Sequence, residues 1–398
     1  MSTAAGRVSR ASLIETSLGL IESGQDAGGA YLAAPGYATY DYCWLRDGAF
    51  IAAAMDAFDR SDSAAAFHRW VADTVLRYQP KVEALTRELG APGATVDPLR
   101  LLDPGLTLHT RFTADGREGS EPWGDFQLDG YGFWLTSLAS HLERTGSAAG
   151  PFIEGARLVR RYLELVWEHP CFDSWEEYPG RRHATTWAAI ARGLKATDEM
   201  ADGAASAVAD RILGRLREIA GAADVLPKFV PGEVAIAPAL DADTPHAVAG
   251  HERAGRALPA GAIDGSCLLV LGPYGPFSDD DALVAGTLAA VERTLVVDGG
   301  VHRYLEDEYY GGGLWVVLAG ALAQVLAPDE VDRAERVLAW IKAQADEDGA
   351  LPEQVETHLC RPASRAAWVE RWGPPARPLL WSHAMYLLGL DALRGATR

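Results

Sequence analysis

The chain has 398 residues, a formal net charge of −19, 48% hydrophobic and 23% charged residues, and four cysteines. Negative charge on this scale repels nucleic acid and anionic lipid surfaces, and no stretch approaches the roughly 18 consecutive apolar residues of a membrane helix. Neutral small molecules, sugars before phosphates, are the partner class left open; composition says nothing of oligomeric state.

From the N-terminus, MSTAAGRVSRASLIETSLGLIESG runs into an amphipathic pattern holding Glu15 and Glu22 rather than a continuous apolar core, so it does not read as a secretory signal. Cys43, Cys171, Cys267 and Cys360 are scattered without a C-x-x-C pair, and a reduced, cytoplasmic protein is expected. Helical stripes follow in order: Phe50, Ile51, Ala54, Met55 and Phe58; Leu128, Tyr131, Leu135, Leu138 and Leu142; Leu158, Val159, Tyr162, Leu163 and Val166. Later come Leu283, Val284, Leu288, Val291 and Leu295, an apolar run from Leu314 to Leu326, and Val331, Ala334, Val337 and Ile341. The count is about twelve helices with no set of alternating strands.

The unusual residues collect in the connections: YATYDYCWLRD, WGDFQLDGYG, DSWEEYPGRRHATT, the Pro/Gly/Ala-rich stretch 221–265, HRYLEDEYYGGG, and GALPEQVETH through LLWSHAMY. Elaborating every second connection puts the special loops at one end of six helical hairpins closed into a ring. The expected fold is all-α, an (α/α)6 toroid formed as one domain over residues 1–398, with the site in its funnel.

These loops are rich in Trp, Tyr, Asp, Glu and Arg, the composition of a sugar site, where aromatic faces cover C–H surfaces and charged groups take hydroxyls. YYGGGLW lacks the Lys-Ser/Thr of a phosphate loop and reads as a tight turn at a helix start. The ten histidines show no metal-ligand spacing, so neither a metal nor a cofactor is expected, and Asp279, Asp280 and Asp281 read as an acidic helix N-terminus. Glycoside hydrolysis needs one protonated and one ionised carboxyl group. Trp175 can desolvate Glu176 while Glu177 adds like charge, and both favour a retained proton; LPEQ offers Glu353, stiffened by Pro352, with Gln354 free to orient ligand or water.

The set YDYCWLRD, DSWEEYPG, RYLEDEYYGG, LPEQ and WSHA resembles, in order and spacing, the glucoamylase family, glycoside hydrolase family 15, over about residues 10–395. The resemblance implies an (α/α)6 barrel and inverting, exo-acting hydrolysis of α-glucosides, with Glu176 as general acid and Glu353 as general base. It implies a substrate-binding set of Tyr40, Trp44, Arg46, Asp47, Trp123, Trp175, Glu177, Arg303, Tyr309 and Trp315. In that set Arg46 and Asp47 clamp the terminal glucose, Tyr40 sits near the attacking water with Tyr309 steadying it, and Trp44, Trp123, Trp175 and Trp315 form walls. Glu177, Glu306 and Asp307 are expected to hold arginines, and His183 and His383 to be structural. The chain departs from the family in having Leu305 where fungal members often have proline, a 221–265 stretch without a counterpart, and room for neither a starch-binding module nor an N-terminal β-sandwich. The expected activity is release of β-glucose from short α-glucosides, isomalto-oligosaccharides ahead of malto-oligosaccharides. A trehalase of the same family, a phosphorylase on a similar barrel and a catalytically silent sugar-binding toroid are the alternatives.

Overall fold

A computed structural model describes residues 10–90, 97–121, 123–201, 206–232, 261–277 and 281–397. Most of the 221–265 stretch, and Asp279 and Asp280, lie outside them.

Hydrophobic patterning sorts the helices into two layers. Along α2 (Leu45–Ala57) every residue from Leu45 to Asp56 is buried, and α11 (Val316–Leu326) is apolar on all sides. A helix apolar all round must be surrounded by other helices. By contrast α12 (Val331–Ala343) buries only Ala334, Val337, Leu338 and Ile341, one stripe, and its charged face meets solvent.

The inner layer consists of α2, α5 (Asp129–Thr145), α7 (Ala184–Ala196), the single turn α9 (Leu268–Leu271), α11 and α14 (Leu380–Ala396). Each packs on the next and α14 returns to α2, closing the ring. Outside it lie α1 (Arg10–Ser23) against α14, α3 (Ser61–Arg77) against α2, α6 (Ile153–Val166) against α3 and α5, α8 (Ala207–Ala220) against α7, α10 (Ala282–Leu295) against α9, and α12 against α11. The expected toroid is observed. Among the described residues, two further helices are extra to it: α4 (Gln79–Leu89), packed on α6, and α13 (Arg365–Trp372), packed on the turn Tyr309–Gly311. No helix among the described residues is long and apolar enough to cross a membrane.

Close approach within the ring is set by glycine. At Gly132 of α5 an added Cβ would stand 2.5 Å from the Ala189 carbonyl of α7, so the two backbones touch. Asp281 caps α10 by accepting from the Leu283 amide at 2.9 Å, the helix-start role read for that acidic run.

Strand pairs of two residues lead into the inner helices. β1 (Cys43–Trp44) pairs with β2 (Arg111–Phe112) and runs into α2; β3 (Arg182–His183) pairs with β4 (Phe229–Val230) and runs into α7. β5 (Val296–Val297), β6 (Gly300–Val301), β7 (Leu314–Trp315) and β8 (Gln354–Val355) form an antiparallel sheet, from which β7 enters α11. α2, α7 and α11 therefore start where these strand pairs lie, and the N-terminal partial positive charges at that end favour acidic side chains.

Candidate active site

A pocket of about 480 Å³ opens at that end, lined by Ala33, Tyr40, Trp44, Arg46, Asp47, Ser174, Trp175, Glu176, Arg303, Tyr309, Trp315, Glu353, Leu379 and Trp381. The structure thus brings together Glu176, Glu353, Tyr40, Trp44, Arg46, Asp47, Trp175, Arg303, Tyr309 and Trp315 from the expected set.

Glu176 sits in a turn between α6 and β3, with φ +64°, a left-handed conformation that a residue bearing a Cβ adopts at a cost. Asp173 Oδ1 accepts the amides on either side of it, from Trp175 at 2.9 Å and Glu177 at 2.8 Å. The turn sends neighbouring carboxylates in opposite directions. Glu176 Oε1 accepts from Trp44 Nε1 at 2.7 Å inside the pocket. Glu177 faces away, accepting from Tyr304 and lying 3.5 Å from Arg303 Nη2.

Glu353 precedes β8, its amide donating to the Ala376 carbonyl at 2.9 Å. Its Oε1 accepts from Tyr40 at 2.9 Å, and the Tyr309 hydroxyl stands 3.4 and 3.3 Å from its two oxygens and 2.6 Å from that of Tyr40. Burial pushes the Glu353 carboxyl up to about 7, against the opposing pull of Tyr40, Arg303 and Tyr309. Tyr309 is braced by Trp368 of α13, ring centroids 4.9 Å apart.

Arg46 and Asp47 occupy the first turn of α2. Arg46 Nη1 is anchored to Gln127 Oε1 at 2.9 Å and Asp129 Oδ2 at 3.3 Å, and its guanidinium lies over Trp381. Burial raises Asp47 to about 7, with Arg46 opposing. Among the described residues, four buried polar atoms on pocket residues have no hydrogen-bond partner: Arg46 Nε and Asp47 Oδ1, which form an ion pair with each other at 3.7 Å, Trp315 Nε1 and Trp381 Nε1. Buried polar groups are normally paired; three donors and one acceptor around an enclosed space suit a polyhydroxylated ligand. Arg303 is held by Asp307, 2.7 Å from its Nε, and stacks near Trp175, Tyr309 and Trp315.

Four sequence-derived expectations need correction: Trp123 and Glu177 as substrate-binding residues, Glu306 as an arginine holder, and Gln354 as a free amide. Trp123 is not among the residues lining the pocket; it packs edge-on against Trp44, with Arg111 3.9 Å from its ring centroid. Glu177 does not line the pocket either; it and Asp307 pair with Arg303, the arginine-holding role expected of them, whereas Glu306 forms no ion pair with an arginine among the described residues. Gln354 is not available to ligand: its Oε1 accepts the Gly313 amide at 3.0 Å. The glycines of YYGGG do make the tight turn, Gly311 and Gly312 having φ +85° and +69°. His183 and His383 are structural, bonded to the Cys171 carbonyl and to Ser17 and the Leu351 amide.

Sequence reasoning missed Ser174, which donates to Asp129 at 2.7 Å, and Trp381, which stood in the quoted WSHA motif. It also missed a buried cluster away from the pocket. Asp56, His68 and His141 place one ligand-type atom each within 4.8 Å of one another, His141 Nδ1 being 2.9 Å from Asp56 Oδ2. These residues come from α2, α3 and α5 and have no motif spacing.

Residues 12–342 match the sequence profile of the glycosyl hydrolases family 15. The chain is 40% identical over 374 residues to an isomaltose glucohydrolase of Kribbella flavida, covering 93% of this chain and 89% of that protein. Its fold matches the solved structure of a wild-type glycosidase with a TM-score of 0.83 at 38% identity, over 99% of both chains, and a variant of a glycosidase in complex with glucose equally well. The Hormoconis resinae glucoamylase, 16% identical, shares the fold at a TM-score of 0.65 over 97% of this chain and 73% of that one. With the profile spanning most of the ring and both loops that end in Trp44 and Glu176, the chain belongs to glycosyl hydrolase family 15 and is a glycoside hydrolase.

Proposed function

We propose that this hydrolase is an inverting, exo-acting α-glucosidase that releases β-glucose from the non-reducing end of short α-glucosides, isomalto-oligosaccharides ahead of malto-oligosaccharides. The carrying observation is that two buried carboxyl groups line one pocket on separate supports, Glu176 on Trp44 Nε1 and Glu353 on Tyr40. The α-1,6 preference is supported by the 40% identity to an isomaltose glucohydrolase.

In this reading the terminal glucose enters the pocket, its hydroxyls taking the open positions on Arg46 and Asp47. Glu176 donates its proton to the glycosidic oxygen as that bond breaks. Glu353, with Tyr40 and Tyr309, holds a water on the opposite face of the ring and takes its proton as the oxygen attacks the anomeric carbon. A base whose pKa lies near 7 is matched to neutral operation. The walls of Trp44, Trp175 and Trp315 shield the developing positive charge from bulk water. The whole of residues 1–398 acts as one catalytic domain, in the cytoplasm.

Incubation with isomaltose, maltose and trehalose, followed by glucose detection, tests this reading. Isomaltose is expected to be cleaved fastest. Cleavage of trehalose alone would make the enzyme a trehalase instead.

A further inference from the structure

Behind the turn that carries Glu176 lies a buried cation that touches no substrate. Lys228, one residue before β4, is enclosed, its ammonium 2.8 Å from Asp173 Oδ2 and bonded to Asp264 Oδ2. It also lies 4.5 Å from the ring centroid of Tyr304 and 5.1 Å from that of Tyr178. Burial disfavours its charge, but the two carboxylates outweigh burial and keep it protonated. Ion pairs buried this deeply add little net stability over apolar packing, so their placement calls for another reason.

Asp173 grips the peptide on either side of Glu176, and Asp264 grips the indole of the residue before it. Asp173 Oδ1 accepts the amides of Trp175 and Glu177. Asp264 Oδ1 accepts Trp175 Nε1 at 2.9 Å and the Ser266 amide at 2.8 Å. Lys228 ties the second oxygen of each, so neither carboxylate can rotate out of these bonds. Between the gripped units sits Glu176 with φ +64°, a conformation that relaxes unless its surroundings fix it.

We propose that Lys228 is a positioning residue for the general acid, clamping Asp173 and Asp264 so that the strained turn keeps the Glu176 carboxyl on Trp44 Nε1 and in the pocket. The proposal rests on the reading of Glu176 as the acid. The test uses Lys228→Met in the full chain, with folding checked by circular dichroism and Tm. Should the single variant not fold, Lys228→Met with Asp264→Asn removes one charge of each sign and takes its place. The expected loss in kcat on isomaltose is roughly 10- to 100-fold with KM little changed, and only about threefold on α-glucosyl fluoride, whose leaving group needs little protonation. In a Glu176→Gln background, Lys228→Met is expected to cost almost nothing further; with Glu176 intact, Lys228→Arg is expected to retain part of the rate that Lys228→Met loses. Equal losses on both substrates, or an additive loss in the Glu176→Gln background, would overturn the proposal while leaving the acid assignment standing. If Glu176→Gln alone loses equally on both substrates, the assignment falls and the proposal with it.

Discussion

Removing one hydroxyl group, in Tyr309→Phe, bears directly on the role of Glu353. Burial has already pushed that carboxyl up to about 7, and Tyr40, Arg303 and Tyr309 are what keep it from rising further. The Tyr309 hydroxyl lies 3.4 and 3.3 Å from the Glu353 oxygens, longer than the 2.9 Å of Tyr40. A well-formed hydrogen bond to a charged group contributes about 1.5–3 kcal/mol, so these longer contacts contribute about 1 kcal/mol. Tyr309 also holds the Tyr40 hydroxyl at 2.6 Å, and loosening it adds to the effect. At 1.36 kcal/mol per pH unit the carboxyl moves up by roughly one unit. A base works only when ionised, so the acid limb of kcat/KM moves from near pH 7 to about pH 8. The assay is kcat/KM for isomaltose across neutral pH, in Tyr309→Phe and wild type. The variant should be about ninefold slower at about pH 6 and converge with wild type above about pH 9. A ratio that does not change with pH, or a limb that moves down, would refute the assignment of Glu353 as the ionised partner.

Other outcomes follow from the packing and the buried charges. Gly132→Ala drives a methyl into the α7 backbone 2.5 Å away and should cost about 1–3 kcal/mol of stability, read as a lower urea midpoint; an unchanged midpoint would show that α5 and α7 can separate freely. His68 is buried with neither ring nitrogen bonded among the described residues, so His68→Phe, among Phe67 and Phe152, should raise Tm; a fall in Tm would contradict this. Stability should change little between about pH 6.5 and 4, then drop steeply toward about pH 3. The buried histidines His183, His383 and His109, lowered to about 3, 3 and 4, and His68, held well below its ordinary value, cost stability as pH falls below 6.5. Glu353, Asp47 and Asp125, raised to about 7, and Asp173, raised to about 6, offset this through the same window until their unfolded values are passed. A steady decline from pH 6.5 in the urea midpoint would contradict this balance.

The ring was legible because inner and outer helices differ in pattern: the run Leu314–Leu326 has no polar face, whereas Val331–Ile341 has one. Glu176 and Glu353 were legible because each stands in a short motif with distinctive neighbours. What sequence could not give was direction. Glu176 and Glu177 are adjacent, and only the positive φ sends one into the pocket and the other to Tyr304 and Arg303. Trp123 shares a loop composition with the pocket-lining tryptophans but packs edge-on against Trp44 instead of lining the pocket. Gln354 resembles a free amide until β8 pairs with β7 and occupies it. Lys228 and Asp264 meet Asp173 across 55 and 91 positions of chain, a juxtaposition that the packing of successive hairpins produces.

The stereochemistry of the released sugar tests the central claim most directly. If Glu353 activates a water on the face opposite the leaving oxygen held by Glu176, hydrolysis is a single displacement that turns an α-linkage into a β-product. Proton NMR of an isomaltose digest, recorded before mutarotation, should show the β-anomeric signal of glucose first, and Glu353→Ala should abolish it. An α-anomeric signal appearing first would mean a retaining route through a glycosyl-enzyme and would contradict the roles given to both carboxylates.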